Sequence, residues 1–277
     1  MKTQALIPIL YNAHSAYEAP EAIRRVYPLV DSILVIYDGP ETDLLNSVQK
    51  ISRAAENLEI IHHKNPQGKT KAIKDGLKYV CETHNFDALI QIDGDLEQNP
   101  EDIPFFIEKL NTADLVIGNR YHRKKLDEHR SGAVCLASGI LNYSTGFELT
   151  DVLCGFRAFT KELGEIFSER LCSEGYGLEV EEIMLTKIAD KKAVNIPLSF
   201  AKSQNKYTDA EKILQNLNAI LIYTKELGMD KNFVEQLEDI KNKMVRRESF
   251  DINFPFLESK IICKYLPNMD AYTFRCR

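Results

Sequence analysis

The chain has 277 residues, 44% hydrophobic, 9% aromatic and 27% charged, an ordinary globular composition that excludes collagen, low-complexity disorder and coiled coil. Thirty-five Lys and Arg against 41 Asp and Glu leave a net charge of −6, so no global basic surplus exists for gripping nucleic acid or an anionic surface. Any anionic ligand must be met by a local basic cluster or by a metal.

Cys81, Cys135, Cys154, Cys172, Cys263 and Cys276 are scattered, with no C-x-x-C pair. That spacing argues against a zinc site and against a secreted disulfide framework, and predicts reduced thiols in a cytoplasmic protein. The apolar run Gly132–Leu141 is about half the ~20 residues that spanning a bilayer requires. Near the start, Ala5–Leu10 is broken by Pro8, which suits a first strand better than a signal peptide.

In chain order, strands are expected at Ala5–Leu10, Ser32–Tyr37, Leu58–His62, Ala88–Ile92 and Asp114–Ile117. Amphipathic helical stretches lie between them at Ala19–Val30, Thr42–Asn57, Lys69–Thr83 and Pro100–Asn111. Strands alternating with helices predict a mostly parallel, open α/β sheet, whose ligands sit at the carboxyl ends of the strands. Arg120 to Arg130 reads RYHRKKLDEHR, a charged run without apolar period, and is expected to be a loop. Helical pattern resumes at Gly132–Tyr143 and Leu178–Ala189, followed by a strand at Ala193–Pro197. Beyond Tyr207 only helix-formers follow, at Asp209–Leu227 and Asn232–Arg247. The expected organisation is therefore a core domain over residues 1–207 and a helical extension over 208–277.

The strongest chemical signal is IQIDGDLE (Ile90–Glu97), where a buried strand ends in Asp93 and acids follow at alternate positions. On an extended chain, residues two apart share a face roughly 6.5 Å apart. Three acids on one edge repel unless a cation compensates them, and hard oxygen ligands suit Mg²⁺ or Mn²⁺. Gly94 between them is expected to allow close backbone approach by a ligand. An EF-hand loop is excluded, because Gln98 stands where its glycine belongs and Pro104 where its last ligand belongs. The plain alternative is a polar turn whose acids merely cap a helix. In NPQGKT (Asn65–Thr70), His63 occupies the place of the first glycine of a phosphate loop. The G-x-G-x-x-G dinucleotide fingerprint is missing from the first strand-to-helix turn.

Together with these motifs, IPILYN (Ile7–Asn12), IYDGPETD (Ile36–Asp43) and NPQGKTKAIKDGL (Asn65–Leu77) resemble the donor half of the GT-A glycosyltransferases. QIDGDLEQNPED (Gln91–Asp102) resembles that family's metal motif. IGNRY (Ile117–Tyr121), DVLCGFRAF (Asp151–Phe159), GYGLEVE (Gly175–Glu181) and NIPLSF (Asn195–Phe200) are similar to the dolichol-phosphate mannose synthase branch of the large inverting family. The resemblance runs in order over about residues 4–207.

It implies a GT-A fold, a nucleotide-sugar donor and a divalent Mg²⁺ or Mn²⁺ cofactor. Pro8, Tyr11, Asn12 and Asp38 would lie around the base and ribose, with Lys69 nearby. Asp93, Asp95 and Glu97 would hold the metal. Arg120, Arg130, Lys202 and Lys206 would reach the diphosphate or an anionic acceptor, and Glu181 would lie beside the acceptor. For a hydroxyl acceptor, Glu181 is the first candidate general base and Asp151 the second, whereas a phosphate acceptor needs none. The acceptor class stays open between a polyprenyl phosphate, a glycan and a small molecule.

Departures from the family pattern are Ala13 after Tyr-Asn, Pro40 after Asp-Gly, and AKSQNKY (Ala201–Tyr207) after the last core strand. They leave two other readings open, a catalytically dead scaffold and a sugar-phosphate nucleotidyltransferase. The latter is disfavoured because Tyr11–Pro20 holds no glycine, lysine or arginine. Asp151 and Arg157 flank Cys154-Gly155-Phe156, where a structural salt bridge between them competes with a catalytic role. Glu179, Glu181 and Glu182 open a helical pattern, so a solvated acidic helix start is the plain expectation for at least two of them. His62 and His63 lack ligand spacing and are assigned no role. The basic stretch Lys241–Arg247 is a helix face that also allows peripheral docking at the inner face of a membrane. The C-terminal helices likewise leave room for homo-oligomerisation.

Overall fold

The computed structural model describes residues 1–11, 15–120, 128–199, 210–246, 250–252 and 272–274. Seven short, apolar strands make one sheet: β1 (Thr3–Leu10), β2 (Ser32–Asp38), β3 (Leu58–His63), β4 (Ala88–Gln91), β5 (Leu115–Asn119), β6 (Arg157–Thr160) and β7 (Ala193–Pro197). Their order is β3-β2-β1-β4-β6-β5-β7. β1 to β4 pair parallel, as do β5 and β7, while β6 runs antiparallel between β4 and β5. β1 is buried along nearly its whole length, as expected of a parallel strand covered by helices on both faces.

The covering helices are α1 (Ser15–Val26), α2 (Asp43–Ala54), α3 (Lys69–Thr83), α4 (Ile103–Lys109), α5 (Glu128–Thr145), α6 (Lys161–Arg170) and α7 (Leu178–Ile188). Beyond them lie α8 (Ala210–Tyr223) and α9 (Lys231–Val245). A short 3₁₀ turn at Pro100–Asp102 leads into α4. Asp230 caps α9, its Oδ1 accepting the Phe233 amide at 3.0 Å.

The pair β6–α6 goes beyond the expected elements. β6 has four residues and opens with a fully buried arginine, so its sequence carries no apolar signature. The expected C-terminal helices are present as α8 and α9. β8 (Phe250–Ile252) and β9 (Tyr272–Phe274) pair antiparallel, so the region is not purely helical. Leu217, Ala219 and Ile220 of α8 and Phe233 and Leu237 of α9 also join the same apolar cluster as the sheet.

The register places the site. Leu10, Asp38 and His63 are level across β1, β2 and β3. β4 stops pairing with β1 at Leu6↔Gln91, so a crevice opens where the strand order reverses between β1 and β4. In open α/β sheets that is the ligand position. Pro8 is buried inside β1, and its missing N–H faces the side where β4 has already ended, the one place a central strand tolerates proline.

Candidate active site

At the tip of β2, Asp38 is buried and accepts the amide N–H groups of Gln67 (2.8 Å) and Gly68 (2.7 Å). His63 Nδ1 lies 3.1 Å from the same carboxylate, and its Nε2 lies 3.1 Å from Asp75. Asp38 therefore pins the turn that launches α3. His63, expected to have no role, is the wedge between β2 and α3. Gly68 takes φ +89° at this helix start, a region that favours glycine. Tyr11 is held over the adjacent Gly39: its amide donates to the Asp38 carbonyl at 3.1 Å. A Cβ on Gly39 would collide with the Tyr11 Cβ. Tyr11 is 49% exposed. Pro8 is buried within β1.

After Gln91 the chain leaves the extended conformation. Gly94 and Asp95 form a turn and Leu96 takes φ +54°, so the alternate-face argument for three acids does not apply. Among the described residues, no three His, Cys, Asp or Glu side chains converge as a metal site. Asp93, Asp95 and Glu97, the expected ligands, all fall within this turn segment. Gln98 brackets Asp93, accepting its amide at 3.0 Å and donating to its Oδ2 at 3.0 Å. Asp95 Oδ1 accepts the Glu97 amide at 3.1 Å. A Cβ on Gly94 would lie 3.0 Å from Ile9 Cγ1 and 3.5 Å from the Pro8 carbonyl, so this glycine serves packing on β1 rather than ligand approach. Two hard carboxylates still fit Mg²⁺ or Mn²⁺, which are held by one or two acids and complete their shell with water and substrate phosphates.

Lys69, the first residue of α3, reaches across to this turn. Its Nζ lies 2.8 Å from Asp93 Oδ1 and 3.2 Å from Glu179 Oε1. Burial disfavours the ammonium, but the two carboxylates overcome that and raise its pKa above the ordinary lysine value. It therefore stays charged. Gly155 makes the space: a Cβ there would lie 2.7 Å from Lys69 Nζ and 2.8 Å from Asp93 Oδ2.

Glu179 belongs to the start of α7, where the expectation of solvated acids fails. Glu179, Glu181 and Glu182 are 8%, 0% and 0% exposed. Arg157 explains part of this. Fully buried, it donates through Nη1 to the Glu179 carbonyl (2.7 Å) and to Glu182 Oε2 (2.9 Å). It also donates to the carbonyls of Val152 (2.5 Å) and Cys154 (2.9 Å). Glu182 Oε1 is buried with no hydrogen-bond partner among the described residues. Burial pushes the Glu182 carboxyl up to about 7, with Arg157 opposing the shift. Glu181 faces the other way: its Oε2 accepts from the amide and hydroxyl of Ser173, and its Oε1 accepts from the amide and thiol of Cys172 and from the Tyr223 hydroxyl at 2.6 Å. Burial would raise this carboxyl, yet those bonds hold it below the usual carboxylate value. Glu181 thus serves as a structural acceptor for the 172–173 backbone and for α8.

Asp151, the other expected base, is likewise committed. It is fully buried and bound by Arg120 through Nε at 2.7 Å and Nη2 at 2.8 Å. This pair corrects one expectation: Asp151 binds Arg120 rather than Arg157, which pairs with Glu182. Asn12, Lys202 and Lys206 lie outside the described residues. Arg130 falls in the first turn of α5, and its side chain is not described. Sequence reasoning passed over Glu179, Gln98 and Gly155 as site residues. The available signal for Glu179 was three acids interleaved with Leu178, Val180 and Ile183, an apolar setting that demands basic partners.

The family model described as "Glycosyl transferase family 2" matches residues 5–165. An uncharacterised protein of Methanocaldococcus jannaschii is 31% identical over 173 residues, 59% of this chain and 72% of that one. The undecaprenyl-phosphate mannosyltransferase of Micrococcus luteus is 30% identical over 160 residues, 55% of this chain and 65% of that one. The undecaprenyl-phosphate 4-deoxy-4-formamido-L-arabinose transferase of Salmonella paratyphi B is 27% identical over 170 residues, 58% of this chain and 50% of that one. The match thus spans only 50–65% of the two relatives with named activities. Among solved structures, glucosyl-3-phosphoglycerate synthase from Mycobacterium tuberculosis, in complex with Mn²⁺ and UDP-glucose, aligns with TM-score 0.60 at 19% identity. That alignment covers 83% of this chain and 80% of the other, a likeness of fold.

Proposed function

From the premise that this chain belongs to glycosyl transferase family 2 and has the GT-A fold, we propose that it transfers a sugar from a nucleotide-sugar to a polyprenyl phosphate, with inversion at the anomeric carbon. The reading rests above all on Lys69, Asp93 and Glu179 meeting at the strand-order reversal. The names of the Micrococcus and Salmonella relatives support the acceptor class.

A nucleotide-sugar leaves a diphosphate that gains negative charge as the glycosidic bond breaks. Lys69 supplies a fixed ammonium for that charge, preorganised by Asp93 and Glu179. The amino end of α3, which carries Lys69, adds the positive end of a helix dipole. A divalent ion held by Asp93 and Asp95 would supply Lewis-acid neutralisation of the same charge. Tyr11 offers its exposed ring to a nucleobase. The commitment of Glu181 and Asp151 to structural bonds agrees with an acceptor phosphate, which arrives ionised and needs no general base.

The test is transfer from labelled GDP- and UDP-sugars to undecaprenyl phosphate with Mg²⁺ or Mn²⁺. Asp95→Ala is expected to lower transfer by about 10²-fold or more, the scale of losing preorganised charge stabilisation. An unchanged rate in that variant removes the metal site. Transfer to a glycan or a small phosphorylated acceptor, but not to the lipid, overturns the acceptor class alone.

A further inference from the structure

The segment that presents Glu179 to Lys69 is tied down from the C-terminal side of the molecule. The loop 171–177 leads into α7, and at its near end Glu181 folds back on the amides of Cys172 (2.8 Å) and Ser173 (2.9 Å). Tyr223, at the end of α8, donates to Glu181 Oε1 at 2.6 Å and to the Arg170 carbonyl at 3.3 Å. One helical stretch earlier on α8, Gln215 Oε1 accepts the Tyr176 amide at 2.7 Å. Between them, Ala219 packs against Gly177, where a Cβ would lie 3.0 Å from the Ala219 Cβ. Gly175 takes φ +64° beneath Gln215. The same loop reaches the opposite wall of the crevice, because Thr70 Oγ1 donates to the Gly175 carbonyl. Thr70 directly follows Lys69.

We propose that Tyr223 and Gln215 are positioning residues: α8 clamps loop 171–177, and through it sets the approach of Glu179 to Lys69. The inference rests on the transferase reading for its catalytic consequence, but the clamp itself is a property of the fold. Neither residue touches the crevice groups. Asp93 and the turn before α3 are held independently by Gln98 and Asp38, and Lys69 stays on Asp93, so loss of the clamp leaves nucleotide binding intact and misplaces Glu179 in turnover. Displacements of about 1 Å at such groups lower rates by up to ~10²-fold.

The experiment compares Tyr223→Phe, which removes one hydroxyl, and Gln215→Ala with the wild-type full-length chain. Amide hydrogen exchange is read first. Both variants are expected to exchange faster at residues 172–177 and no faster in β1 or β4, and unchanged exchange in that loop overturns the clamp. Turnover is read second: kcat is expected to fall about tenfold while the nucleoside diphosphate Kd, measured with Mn²⁺, stays within about twofold. A kcat within twofold of wild type in both variants, or a parallel loss of nucleotide affinity, overturns the positioning role. If the wild-type chain itself neither transfers sugar nor binds a nucleotide, the functional reading fails, and the exchange result still decides the clamp.

Discussion

Gly155 is the residue on which the charge arrangement most directly depends. Lys69 Nζ and Asp93 Oδ2 already occupy the positions where its side chain would begin. Gly155→Ala should leave the fold intact, since the ends of flexible side chains can give way, but it should displace both groups. Turnover is expected to fall by about 10- to 100-fold, with the melting temperature nearly unchanged. An alanine variant with full turnover would mean that the pairing of Lys69 with Asp93 plays no part in the reaction. A lysine held charged between two carboxylates is costly to assemble, and its neighbours are accordingly fixed. Gln98 brackets one acid, and Arg157 holds the backbone of the other.

At the scale of elements, α7 is the unusual one. Three acids at its start are buried, and they split into two systems facing different neighbours. Glu182 pairs with Arg157 of β6, while Glu181 serves the preceding loop and α8. Their effects on stability have opposite signs with pH. Glu182 is raised from an ordinary 4.5 to about 7, so the folded protein holds a proton that the unfolded chain has released between those values. Its contribution favours the fold at low pH and is lost as pH rises through about 7. Glu181 is lowered, so its contribution is present above the ordinary carboxylate pKa and is lost as pH falls. Glu182→Gln should therefore flatten the decline in stability between about pH 5 and pH 7.5, measured as urea midpoints of variant and wild type. An identical slope in the two proteins would show that Glu182 does not titrate there. The burial of an Arg–Glu pair beside the crevice is no simple gain in stability, because removing one partner of such a pair costs about 3–5 kcal/mol.

At the scale of the whole molecule, the C-terminal helices are part of the core rather than an attachment to it. Leu217, Ile220 and Tyr223 of α8 are each at most 5% exposed, buried against α7 and the elements behind it. A chain ended at Tyr207 would expose that surface and free loop 171–177. It should lack a single cooperative urea transition, whereas a sharp transition near the full-length midpoint would show that residues 1–207 fold alone. None of the described helices is long and apolar enough to cross a membrane.

The amino-acid sequence by itself determined the alternation of strands and helices, the mostly parallel sheet, the crevice at the strand ends and the family resemblance. Those follow from apolar periodicity and short motifs, which act over a few residues. Lys69 and Asp93 stood out as candidates for the same reason: Lys69 opens a helix after a turn, and Asp93 follows the end of a strand. Only the tertiary structure decided what the buried charges do. Lys69 and Glu179 are 110 positions apart, and Arg157 meets Glu182 rather than Asp151 because β6 inserts antiparallel between β4 and β5. Which acid faces which base depends on strand order and on how helices pack, and a charge carries no periodic signal of its own. The same holds for Glu181, whose carboxylate became a bracket for a loop once α8 folded against it.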